Sequence, residues 1–187
     1  METARKHASD VELETAVEHL LASPKETTEL QAIVVRPEAN ERQVIAEAEL
    51  SPTAGIAGDR WTDNHWKQLP DGTSDPQAQI SLMNARVLQL VAGSTDAMRL
   101  AGDNLIVDLD LSKANLPVGS RMKIGANVVL ELSAVPHTGC KKFEHRYGRA
   151  AKNFVNGAVG SANNFRGRYA KIVEGGKVAV GDIVRKI

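Results

Sequence analysis

From Leu30 onward the chain is cut into short apolar runs, and nearly every cut carries Gly or Pro. Leu30–Val35 stops at Arg36-Pro37, and Gln43–Leu50 alternates as a partner strand. Ile80–Met83, Leu105–Leu111, Arg121–Ile124, Val128–Val135, Arg168–Val173 and Val178–Val184 follow the same style. Runs this short, rich in β-branched residues and bounded by turn formers, read as strands. Many short strands with tight turns favour closure, because an open sheet would leave long unpaired edges. The expected fold is mainly β (α+β): a strongly bent sheet closing into a β-barrel-like core, with a few peripheral helices.

Local signals place the rest. Ser9-Asp10-Val11-Glu12 has the form of a capping box, and Val11, Ala16, Val17, Leu20 and Leu21 supply an apolar stripe. This predicts a helix over residues 10–22, ended by Ser23-Pro24. Acidic and terminal, it marks residues 1–28 as a helical extension to a main domain at 29–187. Residues 61–76, rich in Asp, Asn, Gly and Pro, read as an exposed excursion. Asn84 caps a helix over 85–92 that Gly93 closes, and Ser94-Thr95-Asp96 opens a further short helical piece. Residues 157–165, small and polar, read as a mobile loop. The Glu174-Gly175-Gly176-Lys177 turn suggests that the last two runs form a closing hairpin. No internal repeat, GxGxxG, phosphate-binding loop or nucleophile elbow occurs.

One stretch carries the chemistry: Pro136-His137-Thr138-Gly139-Cys140-Lys141-Lys142, holding the only cysteine of the chain. The run Val128–Val135 delivers the chain to it. After it, Phe143, Tyr147, Ala151 and Phe154 recur at helical spacing, predicting an amphipathic helix to about Val155, with Asn156-Gly157 as its stop. Cys140 then sits at the helix's first turn, where unpaired N–H groups and the helix dipole favour an anion. Lys141 and Lys142 add charge, and such surroundings lower a thiol's pKa. A buried cysteine acting as apolar filler is the competing reading, and cationic neighbours argue against it. His137, Cys140 and His145 as a metal trio match no paired zinc spacing.

Charge is balanced overall but not locally. Residues 1–50 hold eleven acids against five bases, whereas residues 137–171 hold eight bases against one acid, Glu144. A basic segment around the lone thiol points to an anionic ligand or partner, against the blander reading of a solvated helix face. One cysteine permits no internal disulfide, no apolar run reaches membrane-spanning length, and the acidic N-terminus is unlike a signal peptide. The expectation is a cytoplasmic protein with no membrane association.

Gly58-Asp59-Arg60, Gln79-Ile80-Ser81-Leu82, Gly102-Asp103-Asn104-Leu105, Leu116-Pro117-Val118-Gly119, His137-Thr138-Gly139-Cys140, Arg166-Gly167-Arg168-Tyr169 and Val180-Gly181-Asp182 occur in that order. Together they resemble the MOSC domain, named for the C-terminal part of molybdenum-cofactor sulfurase, in its short, stand-alone bacterial form, over roughly residues 30–187. The resemblance implies a β-barrel-like fold whose cysteine handles sulfur as a persulfide or ligates molybdenum in a bound molybdenum cofactor (molybdopterin). Cys140 holds that position. Pyridoxal phosphate would enter only through a separate cysteine desulfurase partner, because no such domain is present. The chain departs from the pattern at Gly139, where many members show Pro, and at Asp103-Asn104, where some show Arg-Asn.

Three functions compete. The first is a sulfur-transfer or molybdenum-cofactor protein acting through Cys140, as either a sulfur transferase or a cofactor-dependent reductase. In it His137 moves a proton beside the thiol and Arg60, Asn104, Lys141 and Arg166 bind the cofactor. Asn104 reads equally as a strand-entry turn residue, His137 as a residue that holds the turn, and Arg60 and Arg166 as ion-pair partners of Asp59 or Asp182. The second function is a non-enzymatic module that grips phosphate-rich ligands with the basic 137–171 segment. Sparse aromatics there argue against nucleic-acid stacking. The third, a thiol hydrolase built on Cys140 and His137, lacks an orienting Asp or Asn in the sequence pattern.

Overall fold

The computed structural model describes residues 7–63 and 66–187, with the side chains of Thr95 and Asp96 left aside. Residues 1–6 of the expected extension, Asn64 and His65 of the expected excursion, and the role of Thr95-Asp96 side chains in opening a helix lie outside the described part. The strands are β1 (Thr27–Val35), β2 (Gln43–Ile45), β3 (Glu47–Ser51), β4 (Gly55–Ile56), β5 (Ile80–Asn84), β6 (Leu105–Val107), β7 (Arg121–Ile124), β8 (Val128–Leu132), β9 (Arg168–Glu174), β10 (Gly176–Ala179) and β11 (Ile183–Lys186). The α-helices are α1 (Asp10–Thr15), α2 (Val17–Leu21), α3 (Ala85–Ala92), α4 (Thr95–Met98), α5 (Lys141–Asn156) and α6 (Ala158–Ala162).

Seven strands run β11-β7-β8-β9-β5-β6-β1, and β1 pairs back onto β11, so the sheet closes into a barrel. The expected mainly-β barrel with peripheral helices is therefore what forms. All these pairings are antiparallel except β5–β6, which is parallel and spanned by the crossover through α3 and α4. Strand alternation sorts side chains between two cores. Leu82, Leu105 and Val107 point into the barrel with Leu30, Ile33, Leu130 and Val184. Their neighbours Met83 and Ile106 point outward into a second cluster with Val87, Leu88, Phe143 and Tyr147. Both faces of β5 are thus covered, which is why every residue in it is buried.

The local caps form as expected. The Ser9 hydroxyl accepts from Glu12 N–H while the Glu12 carboxylate accepts from Ser9 N–H. Asn84 accepts from Val87 N–H at 3.1 Å, and Gly93 ends α3 in the left-handed conformation. The N-terminal helix breaks at Ala16 into α1 and α2, and Leu13 and Leu20 bury in the cluster that holds Phe143.

Long-range structure departs from the local reading in three places. Residues 168–184 are not a hairpin: β9 lies between β8 and β5, whereas β10 leaves for a separate sheet, β10-β3-β4. Gly175 abuts the Leu50 carbonyl too closely for a side chain, so the turn feeds β10 onto β3. Residues 157–165 are not a loop either, since they contain α6, whose Gly160 packs flush on the Phe154 and Val155 carbonyls. The excursion after Trp61 is largely exposed, as expected, and is anchored at its ends: Trp61 is buried, and Ser74 Oγ donates to its carbonyl at 2.9 Å.

The third departure is in α5. Gly148 has φ 90° and ψ 165°, so the helix stops and the chain reverses. A straight helix of 16 residues would hold its ends roughly 24 Å apart. Instead Asn156 at its end hydrogen-bonds Gly139 just before its start.

Candidate functional site

Cys140 is the N-cap of α5, with extended backbone and an exposed thiol. The sulfur makes no capping hydrogen bond of ordinary geometry. Partial burial pushes its pKa up, but the N–H groups of Phe143 and Lys142 and the charge of Arg166 outweigh this, and the net shift is downward. The turn that aims it is held from behind. Asn156 Oδ1 accepts from Gly139 N–H at 2.7 Å and its Nδ2 donates to the Gly139 carbonyl at 2.9 Å. A side chain on residue 139 would press on Val155 and Asn156 at 3.0–3.3 Å. Proline there would also remove the N–H that Asn156 binds. Glycine at this position is therefore matched to Asn156.

The thiol opens into a cavity of about 470 Å³ lined by Arg36, Arg42, Arg60, Lys142, Arg146 and Arg166, against only Glu38 and Asp103 among acids. Two buried networks hold the cations. Asp59, with a side chain only 2% exposed, takes Arg36 in a two-pronged pair at 2.8 and 2.9 Å. Asn104 anchors that pair: its Nδ2 donates to Asp59 and to the Val34 carbonyl, and its Oδ1 accepts from Arg36 and from Ser81 N–H and Oγ–H. On the opposite wall Arg166 Nη1 reaches both Asp103 oxygens at 2.9 Å and lies over the Phe143 ring at 5.0 Å. Arg60 forms no ion pair or side-chain hydrogen bond among the described residues.

His137 is buried beside these groups, with Nε2 3.7 Å from Asp103. That separation exceeds a hydrogen bond, and burial together with Arg166 and Arg36 pushes the histidine pKa well below its ordinary value. His137 is therefore neutral near pH 7, and the contact is not an ion pair. Tyr169 packs against it with ring planes tilted by 32° and centres 4.2 Å apart, and Trp66 packs against Tyr169 at 5.3 Å, tilted by 35°. Burial and Asp103 raise the Tyr169 phenol to about 12, so it stays protonated. Three buried donors or acceptors on this lining have no protein partner: Arg42 Nε, Arg166 Nε and His137 Nδ1.

Of the residues singled out from sequence, Cys140, His137, Arg60 and Arg166 meet in this cavity. Asn104 does not face it; it is 1% exposed, and its side-chain amide is spent on the Arg36–Asp59 pair. Lys141 lines a shallower neighbouring depression of about 260 Å³ with His145, while Lys142 lines both that depression and the thiol's cavity. Asp59 and Asp182 do not hold Arg60 or Arg166: Asp182 accepts from Ala179 N–H, and the partner of Arg166 is Asp103. Asp103, just before β6, pairs with Arg166 from the turn that precedes β9. No cluster of three or more His, Cys, Asp or Glu side chains is placed to hold a metal among the described residues. Sequence reading missed Arg36, Arg42 and the Trp66–Tyr169 contact. Arg36 was legible only as a strand stop, and nothing local marks Arg42 or Trp66.

Comparison with known proteins places this geometry. The family model described as MOSC domain matches residues 70–185. No curated protein sequence matches the chain. Among solved structures, the YuaD protein of Bacillus subtilis superposes with TM-score 0.61 at 17% identity, covering 84% of this chain and 94% of that one. YiiM of Geobacillus stearothermophilus gives 0.58 at 12% identity, covering 86% and 75%, and YiiM of Escherichia coli gives 0.54 at 14%, covering 85% and 69%. At these identities the likeness is one of fold. No helix among the described residues is long and apolar enough to cross a membrane.

Proposed function

The chain belongs to the MOSC domain family, and on that premise we propose that Cys140 is its working group, a thiolate at the edge of a cavity that receives the molybdenum cofactor. The observation that carries this reading is the convergence on one cavity of an exposed, acidified thiol, six cationic side chains against two acids, and a buried Arg42 Nε without a protein partner. Buried polar groups are nearly always satisfied, so such an atom on a cavity wall calls for a ligand. The residues fit the cofactor: the cavity, about 470 Å³, lies in the roughly 300–1,000 Å³ range of small-molecule sites. Arg60, Lys142 and Arg146 are the cations able to take a phosphate, Arg42 and Arg166 offer donors to a polar ring system, and Cys140 is the metal ligand. When bound, the cofactor supplies a molybdenum centre that exchanges electrons with substrate. His137, neutral and buried, is suited to take up or release one proton beside it.

A second reading, persulfide transfer, is favoured by the exposure of the Cys140 thiol, which leaves it within reach of a donor. In this scheme the Cys140 thiolate attacks the terminal sulfur of a persulfide on a pyridoxal-phosphate cysteine desulfurase. The S–S bond of the donor breaks, the donor cysteine leaves as thiolate, and the sulfane sulfur stays on Cys140 with its proton. One S–S bond forms as one breaks, so no outside oxidant is needed.

Two measurements on the full chain separate these. Protein purified from its native host is assayed for molybdenum and pterin, and protein incubated with a cysteine desulfurase and cysteine is weighed by mass spectrometry. Bound molybdenum with pterin, or a gain of one sulfur mass, lost in either case in Cys140→Ser, is the expected result. Absence of both would overturn the reading. Steeply salt-dependent DNA or RNA binding that survives Cys140→Ser would replace it with a phosphate-gripping module.

A further inference from the structure

A second cavity, of about 460 Å³, shares Pro136, His137, Thr138 and Arg166 with the first, so these residues form a wall between the two. Its cations are Lys113, Arg166 and Arg168, and no acidic residue lines it. Arg168, at the start of β9, is only 6% exposed. Its Nη1 donates to the Leu116 carbonyl at 2.6 Å and its Nη2 to the Ser133 carbonyl at 3.4 Å. No carboxylate pairs with it among the described residues. Carbonyl dipoles orient a guanidinium but do not neutralise it, and a buried charge without a counter-charge is costly.

The shared wall presents further unmatched groups. His137 turns Nε2 toward Asp103, on the thiol side. Its Nδ1 lies on the Gly167 side, 3.3 Å from where a Gly167 side chain would begin, and Gly167 lines the second cavity. That nitrogen and Arg166 Nε are both buried without a protein partner. Gly167 has φ 100°, and a side chain there would collide with the Leu82 carbonyl, so the close approach of the two backbones requires glycine.

The geometry points to a second binding site, for a tetrahedral oxyanion, between Arg168 and Arg166 with Lys113 at its mouth. The oxyanion is free phosphate or sulfate, or the phosphoryl end of a small metabolite. Arg168, with no carboxylate partner among the described residues, and Lys113 supply the charge. Arg166 Nε, buried without a partner, supplies a directed donor, although the charge of that side chain is met by Asp103. The site is built from residues other than Cys140 and stands whether or not that thiol carries sulfur or metal.

Full-length Cys140→Ser protein is titrated with inorganic phosphate, sulfate and glycerol phosphate by calorimetry, at constant ionic strength set with chloride. One saturable anion is expected at this site, with affinity reduced at least tenfold in Arg168→Gln and several-fold in Lys113→Glu, and retained in Arg60→Ala. Lys113 is exposed, so Lys113→Glu keeps the test decisive if Arg168→Gln fails to fold. Stronger binding of glycerol phosphate than of inorganic phosphate identifies a phosphorylated metabolite as the ligand, and the reverse identifies the free anion. No saturable binding above chloride, or binding lost in Arg60→Ala and unchanged in Lys113→Glu, overturns the proposal.

Discussion

The carboxamide of Asn156 grips the backbone of Gly139 from both sides, accepting from its N–H and donating to its carbonyl. Because Gly139 immediately precedes Cys140, the far end of α5 orients the thiol at its near end. Asn156→Ala should cost about 1–3 kcal/mol by orphaning these groups. It should also move the pH midpoint of Cys140 alkylation upward as the N-cap geometry loosens. Asn156→Asp keeps the acceptor but places a negative charge nearby, and should raise the midpoint further. Denaturant titration and iodoacetamide kinetics check both.

Cys140 itself should alkylate with a midpoint below that of an ordinary thiol. Its pKa is lowered, so the thiolate is present above the depressed value and the rate falls as pH drops through it. Neutralising Arg166 would raise the midpoint, but it would also strand Asp103. Lys142→Gln, at an exposed position, is the cleaner negative control and should move the midpoint little, since the Lys142 contribution comes from its backbone N–H. Rate against pH between about 5 and 9 decides.

Gly148→Ala should destabilise the protein by about 1–3 kcal/mol, the scale of one strained backbone position. Its φ of 90° suits glycine alone, and an added Cβ would meet the His7 ring at 2.8 Å. A lowered Tm is the readout. Loss of Asn156's grip should make Cys140 alkylation less acid-shifted in the same variant.

Asn104→Ala should cost more than about 2 kcal/mol, since it leaves several buried groups unmatched at once: Ser81 N–H, the Val34 carbonyl and part of Asp59. Because Asn104 supports the Arg36–Asp59 pair and does not face the cavity, its loss should weaken anion binding only through displaced Arg36. Asn104→Asp should fare worse than Ala in binding, because it sets a second carboxylate against Asp59. Melting curves and anion titrations test this.

His137 gives stability a pH dependence of known sign. Its folded pKa lies well below the usual 6.5, so between that value and 6.5 the unfolded chain binds a proton that the folded one excludes. Stability should fall as pH drops below 6.5, by up to about 1.4 kcal/mol per pH unit from this residue. His137→Gln should flatten that slope between about pH 5 and 6.5 in melting experiments. An unchanged slope would show that folding does not shift the pKa of this ring.

Features set by a few neighbouring residues were readable from the chain. Ser9 with Glu12, Asn84 with Gly93, and the strand that leads to Cys140 all appear where local hydrogen-bonding chemistry puts them. Features set by distant partners were not. The turn at Gly175 has the composition of a hairpin, yet β10 pairs with β3 because Gly175 rests on Leu50. The run from Lys141 to Asn156 has helical periodicity throughout, and a single Gly148 within it gave no signal strong enough to overrule that. Lys141 was the lysine expected at the cofactor, whereas helical geometry sends Lys142 and not Lys141 to the thiol's cavity.

By itself the sequence determined that this chain makes many short strands, places one cysteine at a helix start and surrounds it with bases. Those outcomes follow from turn residues, side-chain period and the unpaired amides of a first turn, all of which act within a few residues. Only the tertiary structure decided which cations face the thiol, that Asn104 and Asp103 serve as anchors for Arg36 and Arg166, and that His137 stands neutral between two cavities. The reason is physical: burial, ion pairing and pKa depend on which groups closure of the barrel brings within a few ångströms, and residues far apart in the chain carry no mark of that meeting.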